Sequence, residues 1–366
     1  MSETQHRLLS RPIAWCLAIT AIWAAGLASA RAEDEIQYFD RQAKAIVSVT
    51  ANIEQESAAG LRYRVGVRGE AVDVPAQDLI DVGYAVPGSL RLILVRARNE
   101  EIRSSAANSS AVERMAAITR AIKEYQTLLN DVSSNSLASA RRHWKFRMAR
   151  LKAHAALHDP GQAKDAEGAL TSFLRENDSW QAQATVNLLA RVLSNKEESG
   201  RAAQVFQQWV TDKRVPAAFQ RELTRETIFW QILAKDLKQA SSELAAQKSQ
   251  TPPESAEAIR LAALQALREA ADDKPEKALA QLDELELRSK EGAERSFIGM
   301  IRGFCELLAG RSDRAMWAFL RVDQVQNEDQ FAHARAVEQL IRLFEERSDW
   351  SRVPIYRDKL WRDFAG

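Results

Sequence analysis

Cysteine, proline and glycine are all scarce in this chain of 366 residues, which contains two, nine and fourteen of them. Cys16 lies in an apolar N-terminal segment, so a chain that lost this segment would keep only Cys305 and form no internal disulfide. A chain this long can bury a core without disulfides. Because helix breakers are few and alanine, leucine, glutamate and arginine are frequent, the composition favours a helical protein.

An excess of charge of either sign is also missing, since 51 lysines and arginines face 50 aspartates and glutamates. This balance gives no global attraction to nucleic acid, and we predict no nucleic-acid partner. Beyond residue 32 no apolar run approaches the length of about 20 residues that a membrane-spanning helix needs. We therefore predict that the mature chain does not span a membrane.

Motifs that carry catalysis are absent from the sequence, which has no Gly-rich phosphate loop and no Gly-x-Ser-x-Gly elbow. His154 and His158 lie four residues apart and share one helix face, but no third metal ligand is evident. Cys305 lies among apolar residues, which is typical of a buried structural cysteine. These observations predict a chain that is not an enzyme and has no catalytic, cofactor-binding or metal-binding residues.

Residues 1–32 have the three parts of a secretory signal peptide. Arg7 and Arg11 give a charged start, residues 12–27 are apolar and uncharged, and small residues at 28–32 offer a cleavage site. We expect export to the periplasm or the extracellular space. The alternative is an uncleaved N-terminal membrane anchor that holds the rest of the chain outside the cytoplasm.

Residues 33–88 read as a small β module. Apolar and polar residues alternate over 61–68 and 80–84, as in strands with one buried face. Four short antiparallel strands are predicted, and their shape is similar to an SH3-like barrel. The outward-facing residues would be Arg62, Arg64 and Arg68, which form either a contact surface or a solvated strand face.

Residues 89–110 are predicted as a linker, and helical spacing then dominates residues 111–366. In the segment 297–322, Gly303 is followed by Gly310 in a turn and by Ala315 and Phe319 in the next helix. The two small residues allow close helix approach, and Gly310 suits a turn that other side chains resist. The aromatic ring of Phe319 would fill the space between neighbouring helix pairs.

The same frame of two positions four residues apart recurs along the chain, with a small residue followed by a large one in every unit but the last. It falls at Ala202 and Phe206, at Ala240 and Leu244, at Ala278 and Leu282, at Ala315 and Phe319, and at Arg352 and Tyr356. Successive units are 38, 38, 37 and 37 residues apart. This pattern resembles the tetratricopeptide (TPR) family in a degenerate, lengthened form. The resemblance implies a mainly α fold, a TPR-like α-α solenoid that exposes a concave surface.

Two further groups have alternative interpretations. Arg141, Arg142 and Lys145 begin a basic run on one predicted helix, which would meet an acidic partner or form a solvated face. Six tryptophans spread through the array are interpreted as core between repeats rather than as a sugar-binding platform; they are Trp180, Trp209, Trp230, Trp317, Trp350 and Trp361.

Two functional hypotheses follow from the sequence. The first is an exported, non-enzymatic scaffold that binds segments of partner proteins through the concave face of the solenoid, as the TPR resemblance implies. The alternative is a protein that binds the cell wall or a glycan through the β module and uses the solenoid as a spacer. The sequence does not indicate an oligomeric state.

Overall fold

The computed structural model describes residues 33–66, 68–106, 109–176, 178–195 and 198–364. The predicted signal peptide at 1–32 lies outside these residues. Among the residues that are described, an antiparallel sheet of five strands precedes fourteen helices. This confirms a mainly helical chain with a small antiparallel sheet at its N-terminal end.

The strands are β1 (Asp34–Asp40), β2 (Ala45–Ser57), β3 (Gly60–Arg64), β4 (Ala71–Pro75) and β5 (Leu79–Gly83). Their order in the sheet is β4-β3-β2-β1-β5. The predicted four-stranded closed barrel is therefore wrong. Strand β1, which the sequence pattern did not indicate, pairs with both β2 and β5 and so places β5 at the edge opposite β4. Because β4 and β5 do not meet, the sheet stays open.

One face of the sheet packs on the first helices rather than enclosing a core of its own. Ile36, Leu61 and Val82 are buried in the same apolar cluster as Leu90 and Trp144, which lie on helices. A five-stranded sheet has too few side chains to bury its own apolar face, so it needs this neighbour. The β module and the first three helices therefore share one core.

The helices are α1 (Gly88–Ser104), α2 (Ala111–Asn130), α3 (Ala138–His158), α4 (Ala163–Glu176), α5 (Ala182–Asn195), α6 (Ser199–Val210), α7 (Ala217–Leu233), α8 (Leu237–Gln250), α9 (Ala256–Ala271), α10 (Pro275–Arg288), α11 (Gly292–Leu308), α12 (Ser312–Gln324), α13 (Gln330–Glu346) and α14 (Val353–Phe364). The stretch 89–110, predicted as a linker, is thus mostly helical. Leu90, Leu94 and Ala97 lie on one face of α1 and are buried. This apolar stripe packs α1 against α2.

The helices from α3 onward form antiparallel pairs with a repeated core position. In the first five of these six pairs, the fourth residue of the second helix is alanine, and a large apolar residue follows four positions later. The members are Ala166 and Leu170, Ala202 and Phe206, Ala240 and Leu244, Ala278 and Leu282, and Ala315 and Phe319, none more than 1% exposed. In the last pair the predicted positions are Arg352, which is exposed and precedes α14, and Tyr356, which is half-buried. This arrangement is compatible with helical repeats.

The turn inside each pair also recurs from α5 onward. A backbone N–H donates to the carbonyl five residues earlier, for example from Asp236 to Gln231 at 2.9 Å and from Arg311 to Glu306 at 2.9 Å. This is the hydrogen bond that closes a helix with a left-handed residue. Gly310 has φ 72°, whereas Lys235 has φ 60° at the corresponding turn. Because three turns use a side-chain-bearing residue there, glycine marks only one of them.

The first helices of distant pairs contact one another. The guanidinium of Arg191 on α5 lies 2.5 Å from the carboxylate of Glu338 on α13, although 147 residues separate them. The ring of Phe229 on α7 packs against Phe304 on α11 and Phe331 on α13, with centroids 5.1 and 6.0 Å apart. The first helices therefore contact one another, and twelve of the seventeen residues of α13 are buried. We call the side on which these contacts lie the inner face.

Candidate functional site

The inner face of the first helices contains a buried charged layer. Glu338 accepts hydrogen bonds from Arg191 at 2.5 Å and from Arg335 at 2.7 Å, and all three side chains are buried. Burial acts to raise the pKa of Glu338, but the two guanidiniums outweigh it and hold that pKa below its ordinary value. The layer therefore holds an ionised carboxylate between two cations and joins α5 to α13.

Polar atoms without partners lie beside this layer. Among the described residues, Glu226 Oε2, Trp230 Nε1 and Arg335 Nε are buried and have no hydrogen-bond partner. The guanidinium of Arg335 lies 4.7 Å from the centroid of the Trp230 ring. Burial raises the pKa of Glu226 to about 8, against the opposing charge of Arg335. Glu226 is therefore mostly protonated at neutral pH.

A partly exposed row of polar pairs, which we call the inner ladder, crosses the first helices near their N-terminal ends. It consists of three pairs, Gln183 with Glu222, Arg225 with Glu257, and Arg260 with Asp329. The first pair bridges α5 and α7, the second bridges α7 and α9, and the third joins α9 to the residue that caps α13. These side chains are less buried than Glu338 and present both charges to solvent. These side chains can donate hydrogen bonds to a bound peptide and accept hydrogen bonds from it.

Replacing Glu226 with glutamine is expected to stabilise the protein at high pH. A folded-state pKa above the unfolded value means that the native state gains stability from the bound proton, and this gain is lost as pH rises from about 4.5 through 8. Glutamine mimics the protonated acid, so E226Q should match wild type near pH 5 and exceed it at pH 9 by about 2–4 kcal/mol.

Urea titrations of both proteins across this pH range measure the difference. An E226Q protein whose stability falls with pH as steeply as that of wild type would contradict the assignment of this proton to Glu226.

A second polar cluster joins α14 to α2 and α3. The His154 ring stacks on Trp361 with centroids 3.7 Å apart, and the Nε2 atoms of His154 and His158 are 3.3 Å apart. Arg114 on α2 pairs with Asp358 on α14. Within the described residues, no group of three or more His, Cys, Asp or Glu side chains is placed to hold a metal ion. These contacts join α14 to α2 and α3, and we call the cluster the histidine seam.

Acid is expected to weaken the histidine seam. Burial, reinforced by the charges of Arg357 and Arg114, lowers the pKa of His158 to about 4, and burial also lowers that of His154. A base with a depressed folded-state pKa contributes stability above its unfolded pKa, and this stability is lost as pH falls from about 6.5 through 4.

Between pH 7.5 and pH 4.5, the free energy of unfolding of H158Q should fall by about 2 kcal/mol less than that of wild type, as measured by chemical denaturation at both pH values. The matched control is K213Q, because Lys213 is exposed and its replacement should leave the pH dependence of stability unchanged. An H158Q protein with an unchanged profile would show that the seam does not govern acid stability.

The basic run on α3 contacts other parts of the chain. Arg141 donates to the Leu129 carbonyl at 2.7 Å, and Arg142 donates to Glu56 at 3.1 Å. Lys145 lies 2.8 Å from Glu176. The Glu56 carboxylate belongs to β2, so Arg142 attaches the sheet to the helices. Sequence reasoning did not identify these partners because they lie up to 86 residues away.

The three arginines of the sheet lie on β3, which is the strand next to the β4 edge, and in the turn that follows it. Arg62 pairs with Asp73 on β4 at 2.7 Å, and Arg64 pairs with Glu54 on β2 at 2.6 Å. Arg68 lies in the exposed turn between β3 and β4. Cross-strand pairs of this kind stabilise a sheet modestly and leave its outer face polar.

Around Gly303 the helices approach closely. A Cβ atom added at Gly303 on α11 would lie 2.3 Å from Cε1 of Phe319 on α12. Cys305 is buried nearby, and burial raises the pKa of its thiol to about 12. A thiol with this pKa stays protonated at neutral pH and is a poor nucleophile.

Two of the six tryptophans are not in the core. Trp317 and Trp350 are 69% and 64% exposed, whereas Trp209, Trp230 and Trp361 are buried. The interpretation of all six as core between repeats is therefore wrong for these two. Trp317 lies on α12 with its side chain facing outward, and Trp350 lies in the turn that precedes α14.

No helix of the described residues is both long and apolar enough to cross a membrane. Neither the comparison with protein-family models nor the comparison with curated proteins found a match for this sequence.

Proposed function

We propose that this chain is an exported, non-enzymatic interaction scaffold of TPR-like repeats that binds segments of partner proteins through its inner ladder. The observation that supports this most directly is the recurrence of equivalent buried alanines on second helices, at intervals of 36 to 38 residues from Ala166 to Ala315. Helix pairs stacked at a constant interval place their first helices in a row, and such a row presents one continuous surface.

The chemistry of the inner ladder favours a peptide as the ligand. Arg225 and Arg260 can donate to backbone carbonyls or acidic side chains, and Glu222 and Glu257 can accept from backbone N–H groups or basic side chains. Deeper binding between α5 and α13 is blocked, because Glu338 already fills that space with Arg191 and Arg335. A partner segment would therefore bind at the N-terminal ends of α7 and α9.

A pull-down with the full chain tests the proposal. Tagged wild type, an R225A/R260A variant and an R311A/R347A control would be incubated with envelope extract of the source cells. The control arginines also form ion pairs between helix pairs, with Glu276 and Asp313, but not in the inner ladder. We expect wild type and control to capture the same protein and R225A/R260A to lose at least about 80% of it, as expected for residues central to an interface.

Three outcomes would contradict the proposal. Wild type that captures no protein would remove the scaffold function. Equal capture by all three baits would remove the inner ladder as its site. Recovery of wild type with purified cell wall, unaffected by both pairs of substitutions, would favour the glycan-binding alternative through the sheet.

A further inference from the structure

One face of α1 is apolar and uncovered. Leu90, Leu94 and Ala97 bury one side of this helix, while Leu92 and Ile102 on the opposite side are 64% and 61% exposed. Val95 is also exposed and lies between them on the same line of the helix, because residues three, seven and ten positions apart share a face. We call Leu92, Val95 and Ile102 the α1 stripe.

Arginines border the α1 stripe on both sides. Arg91 lies on one flank, and Arg96 and Arg103 lie on the other, when residues are placed at 100° intervals around the helix. Arg96 contacts Glu124 at 3.1 Å and Arg103 contacts Glu100 at 2.6 Å, yet half or more of each arginine side chain stays exposed. The face therefore combines an apolar centre, which Asn99 interrupts, with a basic rim.

The described part of the chain begins close to the N-terminal end of α1. The N–H of Ala85 donates to the Asp34 carboxylate at 2.8 Å, and Gly83 pairs with Glu35. The start of β1 and the N-terminal end of α1, which follows Pro87, therefore lie together. The apolar segment 12–27 precedes this point by a few residues. An uncleaved anchor in this segment would hold the N-terminal end of α1 close to the membrane.

We propose that the α1 stripe binds the surface of a membrane that contains anionic lipids. Leu92, Val95 and Ile102 would enter the boundary between headgroups and acyl chains, and the arginines would reach the lipid phosphates. A second copy of this chain is a poorer occupant, because two-fold pairing of the stripe would bring the two arginine rims together. This contact uses no residue of the inner ladder and is independent of the proposed scaffold function.

The test measures the depth of a label on the full chain in anionic vesicles. A fluorophore is attached to V95C in a chain that also carries C16A, and nitroxide lipids quench it if the residue enters the bilayer surface. Cys305 is buried and does not react in the folded chain. The matched control is L287C on α10, since Leu287 is an almost fully exposed apolar residue elsewhere. The readout is the same for a cleaved chain and for an anchored one.

We expect strong quenching at position 95 and none at position 287. R91Q/R96Q should reduce the quenching at position 95 to about half or less, because each basic residue near an anionic surface contributes to binding. R311Q/R347Q should leave it unchanged. Equal quenching at both labelled positions, no quenching at either, or insensitivity to R91Q/R96Q would overturn the proposal, as would a dimer that buries position 95 and excludes vesicles.

Discussion

Replacing Gly303 with alanine is expected to destabilise the protein by about 2 kcal/mol, although alanine is the better helix former. The added Cβ atom would lie 2.3 Å from Cε1 and 2.5 Å from Cζ of Phe319. Phe319 is fully buried and also packs on Phe304, so its ring has little room to move. The cost of displacing the ring exceeds the gain in helix propensity.

Gly168 provides the matched control, because it lies inside α4 and a Cβ atom there would meet nothing within 4 Å. G168A should therefore stabilise the protein by about 0.5–1 kcal/mol. The double variant G303A/F319L, which makes room for the methyl group, should recover part of the loss. Chemical denaturation measures all three effects, and a G303A protein as stable as G168A would contradict close packing of α11 on α12.

Replacing Glu338 with alanine is expected to destabilise the protein by about 3–5 kcal/mol, the range for removal of one partner from a buried ion pair. The carboxylate lies within hydrogen-bond distance of both Arg191 and Arg335. Without it, two buried guanidiniums face each other with no anion between them. The contact between α5 and α13 would then become repulsive.

Glu276 supplies the control for this prediction. It also pairs with an arginine, Arg311, but its side chain is largely exposed. E276A should remain within about 0.5 kcal/mol of wild type, because solvent replaces an exposed partner readily. Hydrogen exchange adds a local readout, since E338A should speed exchange in α5 and α13 first. Equal stability of E338A and E276A would show that the inner charged layer does not hold the array together.

Local patterns allowed much of the helical array to be predicted. Pairs such as Ala278 with Leu282 face one side of a single helix, so spacing along the chain reveals them without knowledge of any partner. The turns were harder to read. Among the four described turns inside helix pairs that have a left-handed residue, glycine occupies that position only at Gly310, whereas Lys235, Asp273 and Ser348 adopt the same conformation with side chains attached.

The sheet shows where local patterns failed. Strand β1 has four polar residues among its seven, yet it lies between β2 and β5, where neighbours on both sides satisfy its backbone groups. Pairing of this kind depends on residues up to 48 positions away, as between Glu35 and Gly83. Local alternation therefore predicted β2 to β5 and missed β1, which joins β2 to β5.

Local sequence patterns did not predict the candidate site. Arg191 and Glu338 are unremarkable charges in the sequence, and nothing near either of them indicates the other. Their contact joins α5 to α13 across 147 positions of the chain, so only the tertiary packing brings the two residues together. Basic residues that sequence reasoning did select, such as Arg142, form contacts within the chain.

By itself, the sequence determined the helix pairs, their near-constant interval and the small residues at which second helices are packed, because these depend on spacing within about 40 residues. Tertiary structure alone decided that the sheet stays open, that its core merges with that of the helices, and that the first helices meet around a charged layer. Those features join residues far apart in the chain, where the energy of burial, rather than local propensity, selects the partner.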